Sequence, residues 1–367
     1  MTNERRRLIA WVGLPMAVAL VAIATLRPAS EAVANSATVW CLTCSPIWLA
    51  DAISNVILFL PLGVVTGVLG LRTSRAVLIG AGFSLGIELL QLSGVPSGRS
   101  ASLADWITNS AGVFLGAWLV HQRAWLFHPT PQAARGLFAG WTVAIVAMWW
   151  AMDWALRPLA VNANVSSPVA LSPLPFTPGY GWFAGVAEGA SVNGVPLVHG
   201  GTGPVIAITP HVDTVRATVS VRGRDGRDDV VPIVFVHARG DTVAYLLLAQ
   251  RARSALLGTT RNSGRAGLTS PTVALRDVFA PSARAPEAVV ILSATVTRRA
   301  LNLTARERDG SLRSTRLLLS PLVGWSLVQS VVRVDAPLAP VMTALWILVW
   351  MIPWGYWLFR TTRAPHR

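Results

Sequence analysis

The chain has 367 residues, 53% hydrophobic and only 13% charged, with a formal net charge of +14 carried entirely by arginine on the basic side. That balance excludes an ordinary soluble domain. No basic run interleaved with aromatics marks a nucleic-acid surface, so the positions of the charges matter more than their sum.

Six apolar stretches have about the length that crosses a bilayer: 8–26, 51–70, 76–92, 103–120, 136–156 and 338–359. The first is long for a signal peptide and lacks a small-residue cleavage site close behind it, so it reads as an anchor. Arg5, Arg6 and Arg7 precede it; Arg72 and Arg75 separate the second and third stretches; Arg123 and Arg135 separate the fourth and fifth; Arg360, Arg363 and Arg367 follow the last. The opposite short loops carry only Arg27 and Arg99. The positive-inside rule therefore places both termini in the cytoplasm. The expected fold class is a multi-pass α-helical membrane protein of about six transmembrane helices, with an inserted all-β sandwich.

Cys41 and Cys44, in "WCLTCSP", fall on the outer side in this topology. The spacing resembles a thioredoxin-type pair, but no βαβ scaffold surrounds it. A small structural disulfide, or two unpaired thiols, is the alternative reading.

Next comes a constellation of polar residues. Asp51 and Asn55 are i,i+4, Glu88 and Gln91 are i,i+3, and Asp105 and Asn109 are i,i+4, so each pair shares a helix face. With the N-terminus inside, all three pairs sit at the outer ends of their helices, and Arg99 lies in the loop between the third and fourth. Ionisable groups at such depths are costly against lipid and should face the bundle interior or a hydrated cavity. Arg99 is the expected counter-charge for the three carboxylates. Gly63 with Gly67, Gly82 with Gly86, and Gly112 with Gly116 are small-xxx-small pairs that permit close helix approach, and Pro61 would kink the second helix. Competing readings stay open: Asp51 and Asp105 as helix N-caps, Asn55 and Asn109 as interhelical glue, and Glu88 with Arg99 as a structural ion pair.

Residues 157–337 break the membrane pattern. A linker rich in Pro, Ser and Gly leads into short strands: "PVIAITP", "TVRATVSVRG", "VPIVFVHARG", "TVAYLLLAQR", "ALLGTTR", "EAVVILSATVTRRALNLTARERDG", "STRLLL" and "WSLVQS". Val215, Ala217, Val219 and Val221 alternate with Arg216, Thr218, Ser220 and Arg222, as in a half-buried strand. The topology puts this sandwich outside the cytoplasm, and divides the chain into a five-helix membrane domain (1–157), the sandwich (158–336), and a final helix with its tail (337–367).

The motifs "DAISNVILFLPLGVVTG", "GIELLQL" and "GRSASLADWITNSAGVFLG" resemble the VanZ-like family of bacterial membrane proteins. The resemblance covers roughly residues 40–120 and rests on Asp51, Asn55, Phe59, Pro61, Gly63, Glu88, Gln91, Arg99, Asp105, Asn109, Gly112 and Gly116. It implies a place in the bacterial cytoplasmic membrane and a cell-envelope context, since the family is named for a protein linked to glycopeptide resistance. More weakly, the outer domain resembles a concanavalin A-like (LamG-type) jelly roll, with Asp225, Asp228 and Asp229 as candidate calcium ligands or a plain solvated turn.

Enzyme and binding protein both remain open. Acting on a lipid or lipid-linked precursor, Asp51, Glu88, Arg99 and Asp105 are the candidate catalytic residues, with Glu88 as general base or acid. Asn55, Gln91, Asn109 and Arg99 are the candidate substrate-binding residues, Arg99 for a phosphate. No cofactor and no metal is expected, because the cluster lacks histidine. The alternative is a membrane-anchored scaffold that recognises glycan or a partner. Transport fits less well, since no inverted repeat is visible.

Overall fold

In a computed structural model, the structure describes residues 4, 8–26, 42–43, 45–96, 99, 101–159, 164–166, 186–196, 206–207, 212–222, 230–238, 244–279, 287–307, 309–328 and 338–362. These fall into two compact units, Met1–Ala147 with Ile347–Arg367, and Met148–Trp346.

The first unit is helical. A π-helical turn at Ile9–Gly13 leads into α1 (Leu14–Thr25), followed by α2 (Trp48–Val68), α3 (Thr73–Leu92), α4 (Leu103–His121), the short α5 (Arg123–Phe127), and the first part of α6 (Pro131–Ala155). The last part of α8 (Ala339–Thr362) also belongs here. Helices suit an apolar medium because every interior backbone group is bonded within the segment. By length and apolarity α2, α3, α6 and α8 can cross a membrane. The first expected span is apolar but shorter than 18 residues, at Ala10–Thr25. α4 has 19 residues, yet Asp105, Thr108, Asn109 and Ser110 dilute its apolar character and it is not among those four. Both α2 and α3 stop at a glycine with positive φ. Gly70 and Gly94 donate to Gly67 and Gln91, while Leu71 and Val95 reach back to Thr66 and Leu90. This pairing satisfies the last carbonyls of each helix and needs a residue without a Cβ penalty.

The core of this unit is a seam between α2 and α4. A Cβ on Gly116 would lie 2.2 Å from the Leu60 carbonyl oxygen, and one on Gly63 would lie 2.2 Å from that of Val113. Gly112 meets the backbone of Val56, and Gly67 meets Ala117 and Val120. Only glycine lets the two backbones come this close. Pro61 lies inside a helix that runs on without a break. The third expected pair is corrected: Gly82 and Gly86 are exposed with open space around them, and α3 instead approaches α4 at Gly80, against Val113. The reason is angular, since Ala76, Gly80, Ser84 and Ile87 form the buried face of α3 and positions 82 and 86 turn away from it. Phe59, Leu62, Ile87, Val113 and Ala117 fill the space with Ala17 and Val21 of α1.

The second unit carries the β structure: among the described residues, two six-stranded antiparallel sheets in the orders β4-β1-β6-β7-β8-β9 and β12-β11-β10-β5-β2-β3. The strands are β1 (Asn164–Ser166), β2 (Val186–Val192), β3 (Val195–Pro196), β4 (Ile206–Ala207), β5 (Val212–Arg222), β6 (Val230–Ala238), β7 (Ala244–Arg251), β8 (Ser254–Thr259), β9 (Thr272–Leu275), β10 (Glu287–Thr297), β11 (Ala300–Glu307) and β12 (Leu312–Leu318). A four-residue helix, α7 (Asn262–Arg265), separates β8 from β9. The apolar face expected for β5 pairs across to a buried row. Val215, Ala217 and Val219 stand opposite Ala294, Leu292 and Val290. That row continues into Leu303 and Ala305 of β11. Asp309 and Gly310 lie between β11 and β12, with Gly310 at positive φ. "WSLVQS" is corrected: Trp325 to Leu327 end a 3-10 helix, Pro321–Leu327, rather than open a strand. Pro321 at its start has no N–H to give a ladder, and the Trp325 indole is held by Thr343 Oγ1 at 3.0 Å.

Candidate functional site

Asp51 and Asn55 occupy the first two turns of α2, Glu88 and Gln91 the last two turns of α3, and Asp105 and Asn109 the first two turns of α4. Asn55 Nδ2 donates to Asp105 Oδ1 at 2.8 Å, and more weakly to Thr108 Oγ1 at 3.4 Å. Asn109 Nδ2 donates to Ser84 Oγ at 2.9 Å. α2, α3 and α4 are thereby tied through their polar residues, and the charge of Asp105 acts on Glu88 as that of Asp51 acts on Asp105.

Glu88 is buried, and its Oε2 accepts from the backbone N–H of Ser102 at 2.7 Å. Ser102 is the N-cap residue of α4 and makes no side-chain cap bond of its own. A carboxylate from α3 thus sits at the positive end of α4, where the helix dipole favours it. The mirror arrangement occurs at the end of α1. Arg99 Nη2 donates to the Ala24 carbonyl at 3.0 Å, and Gln91 Nε2 to that of Thr25 at 3.3 Å. Both take up carbonyls at the C-terminal end of a helix, Arg99 bringing a cation to the negative end. Arg99 is exposed, and its charge also bears on Asp105.

Neither Asp51 nor Asp105 is an N-cap. Those positions are Ile47 and Ser102. Asp51 instead accepts from Ser45 Oγ at 2.8 Å, the same hydroxyl that accepts the N–H of Ile47. Ser45, Ser84, Ser102 and Thr108 are participants that side-chain spacing alone does not single out; Ser102 works through its backbone. Asn109 Oδ1 is fully enclosed and has no hydrogen-bond partner among the described residues. Among those residues, no group of three or more His, Cys, Asp and Glu could hold a metal ion. Cys41 and Cys44, and Asp225, Asp228 and Asp229, lie outside the described residues.

The chemistry on offer is that of several carboxylate oxygens and one guanidinium at a shared end of three helices. Carboxylates gathered this way repel, and each accepts hydrogen bonds readily from hydroxyl, amine or amide donors. Replacing Asn55 with alanine removes the donor that holds Asp105. The expected cost is about 1–3 kcal/mol, read as a lower midpoint in thermal unfolding of the detergent-solubilised protein.

Residues 9–127 match the VanZ/LLP1 family model. No curated protein and no solved structure matches the chain. The helical stretch that carries the polar site is thus similar to the VanZ/LLP1 family, and the described residues include four helices long and apolar enough to cross a membrane.

Proposed function

We propose that this VanZ-like membrane protein binds, and acts on, a lipid or lipid-linked component of the cell envelope at the outer leaflet. The supporting observation is the grouping of Asp51, Glu88 and Asp105 with Arg99 at one set of helix ends. Helix capping accounts for one oxygen of Glu88 and one nitrogen of Arg99. It does not account for two further carboxylates within electrostatic reach, a costly arrangement that a bound headgroup with hydroxyl or amine donors would relieve. Arg99 suits the phosphate of such a lipid, and the buried Asn109 Oδ1 offers a further acceptor.

Glu88→Gln separates charge from structure. The amide oxygen still accepts the Ser102 N–H, so the thermal midpoint should stay within a few degrees of wild type. In a deletion strain, Glu88→Gln and Arg99→Ala should each fail to restore the envelope phenotype. Full complementation by both ends the proposal. Comparison of lipids and cell-wall fragments between the deletion strain and its Glu88→Gln complement identifies the affected class.

The two six-stranded sheets favour a second reading, a membrane-anchored jelly-roll, concanavalin A-like module that recognises glycan or a partner. Deleting 162–332 while keeping the helices discriminates the two. Retained activity selects the membrane site, and loss of activity with intact insertion selects the β module.

A further inference from the structure

Within the second unit, the last two turns of α6 carry exposed Trp149, Trp150 and Trp154, followed by Arg157. Tryptophans at the end of an apolar helix, with an arginine just beyond, mark the depth of lipid headgroups. Arg157 folds back on Asp153, its Nη2 and Nε reaching Oδ2 at 2.5 and 3.1 Å.

The β structure is fastened at this level by Arg261, a side chain with no solvent exposure. Its Nη1 donates to the carbonyl of Leu156, one residue past α6, at 3.0 Å. The same guanidinium donates to the carbonyls of Arg298 at 3.4 Å and Thr297 at 3.3 Å, and its Nε to Thr259 Oγ1 at 3.2 Å. Asn262 adds bonds to the carbonyls of Trp154 and Arg157. Arg261 therefore pins the two-residue turn between β10 and β11 to the point where α6 ends. That turn is Arg298 and Arg299, both exposed, and their charges bear on Asp153. Leu318 stands opposite Ala300 at the same edge and is exposed as well.

We propose that the turn of Arg298 and Arg299, with Arg157, rests on the membrane surface and binds the headgroups of anionic phospholipids. Three guanidiniums beside one aspartate give a positive patch at headgroup depth. Tryptophans below it and Leu318 beside it present the apolar surface that the headgroup and upper acyl region would cover. Arginines at such a surface each attract anionic lipid by about 1 kcal/mol, which is roughly five-fold in local enrichment. The site is separate from the polar cluster of α2–α4 and does not depend on its role.

The test uses the full chain in nanodiscs that mix phosphatidylglycerol and phosphatidylcholine, with p-benzoylphenylalanine in place of Leu318. Cross-linked lipid is identified by mass spectrometry. Adducts should be enriched in phosphatidylglycerol over the bulk ratio. Arg298→Gln with Arg299→Gln should reduce that enrichment about five-fold per arginine, and Arg298→Lys with Arg299→Lys should preserve it. Absence of lipid adducts, an unchanged ratio in the glutamine variant, or an equal loss in the lysine variant each overturns the proposal.

Discussion

Arg261→Leu is expected to destabilise the β-containing unit by about 3–5 kcal/mol, the largest single effect outside the helical seam. Leucine is several atoms shorter than arginine, so it leaves the space of the guanidinium unfilled and the carbonyls of Leu156 and Thr297 without that donor. An orphaned buried acceptor costs about 1–3 kcal/mol, and these acceptors were bonded by a charged group, which raises the figure. Arg261→Lys should recover only part, because an ammonium cannot span carbonyls on two sides as a planar fork does. Chemical unfolding of the solubilised chain, followed by tryptophan fluorescence, measures both. Burial pushes the Arg261 guanidinium down to about 10, so it remains charged at neutral pH. With the folded pKa below the unfolded one, charging costs folding energy below that value, and the cost is lifted as pH rises through about 10. The gap between wild type and Arg261→Leu should therefore be flat from about pH 6 to about pH 9.

Gly116→Ala should cost about 3 kcal/mol, although alanine is the better helix former by about 1 kcal/mol. The added methyl meets the Leu60 carbonyl oxygen at 2.2 Å and the Val64 nitrogen at 2.7 Å. Those are backbone atoms of α2, which can yield only if the helices part. Gly82→Ala is the matched control, since nothing lies within 4 Å of its added carbon. It should be neutral or mildly stabilising. Thermal unfolding in detergent distinguishes the pair, and equal midpoints for the two variants would refute the seam.

Much of the helical unit is legible in residue spacing. Glycines four apart on α2 and α4 announce a close approach, because two small residues on one face have few other uses in an apolar helix. The same spacing at Gly82 and Gly86 misleads, since spacing defines a face but not the neighbour that it meets. The six polar side chains could be assigned to shared helix ends for the same geometric reason. The partners of Glu88, Arg99 and Gln91 could not, because Ser102 N–H, Ala24 C=O and Thr25 C=O are backbone groups that carry no side-chain signature. In the β unit, alternation exposes β5 plainly, whereas β3 and β4 have two residues each and β1 three, too short for any period. The apolar run at Trp325 passes equally for strand or helix until Pro321 and Gly324 are weighed. Arg261 is one of 31 basic residues, with nothing local to distinguish it.

In the first unit, the helices on either side of the long β insertion grip one another through indoles. Trp141 Nε1 donates to the Trp350 carbonyl at 2.8 Å, and Trp354 Nε1 to Thr142 Oγ1 at 3.0 Å. The Trp141 and Trp350 rings lie 5.3 Å apart, and the Trp357 indole donates to Leu126 O. The rods that bracket the insertion are thus clasped by bonds of their own, in addition to those that the insertion makes to Trp154, Leu156 and Thr343. A chain that carried different cargo in that slot would still hold the indole latch, since Trp141, Thr142, Trp350 and Trp354 all lie outside it.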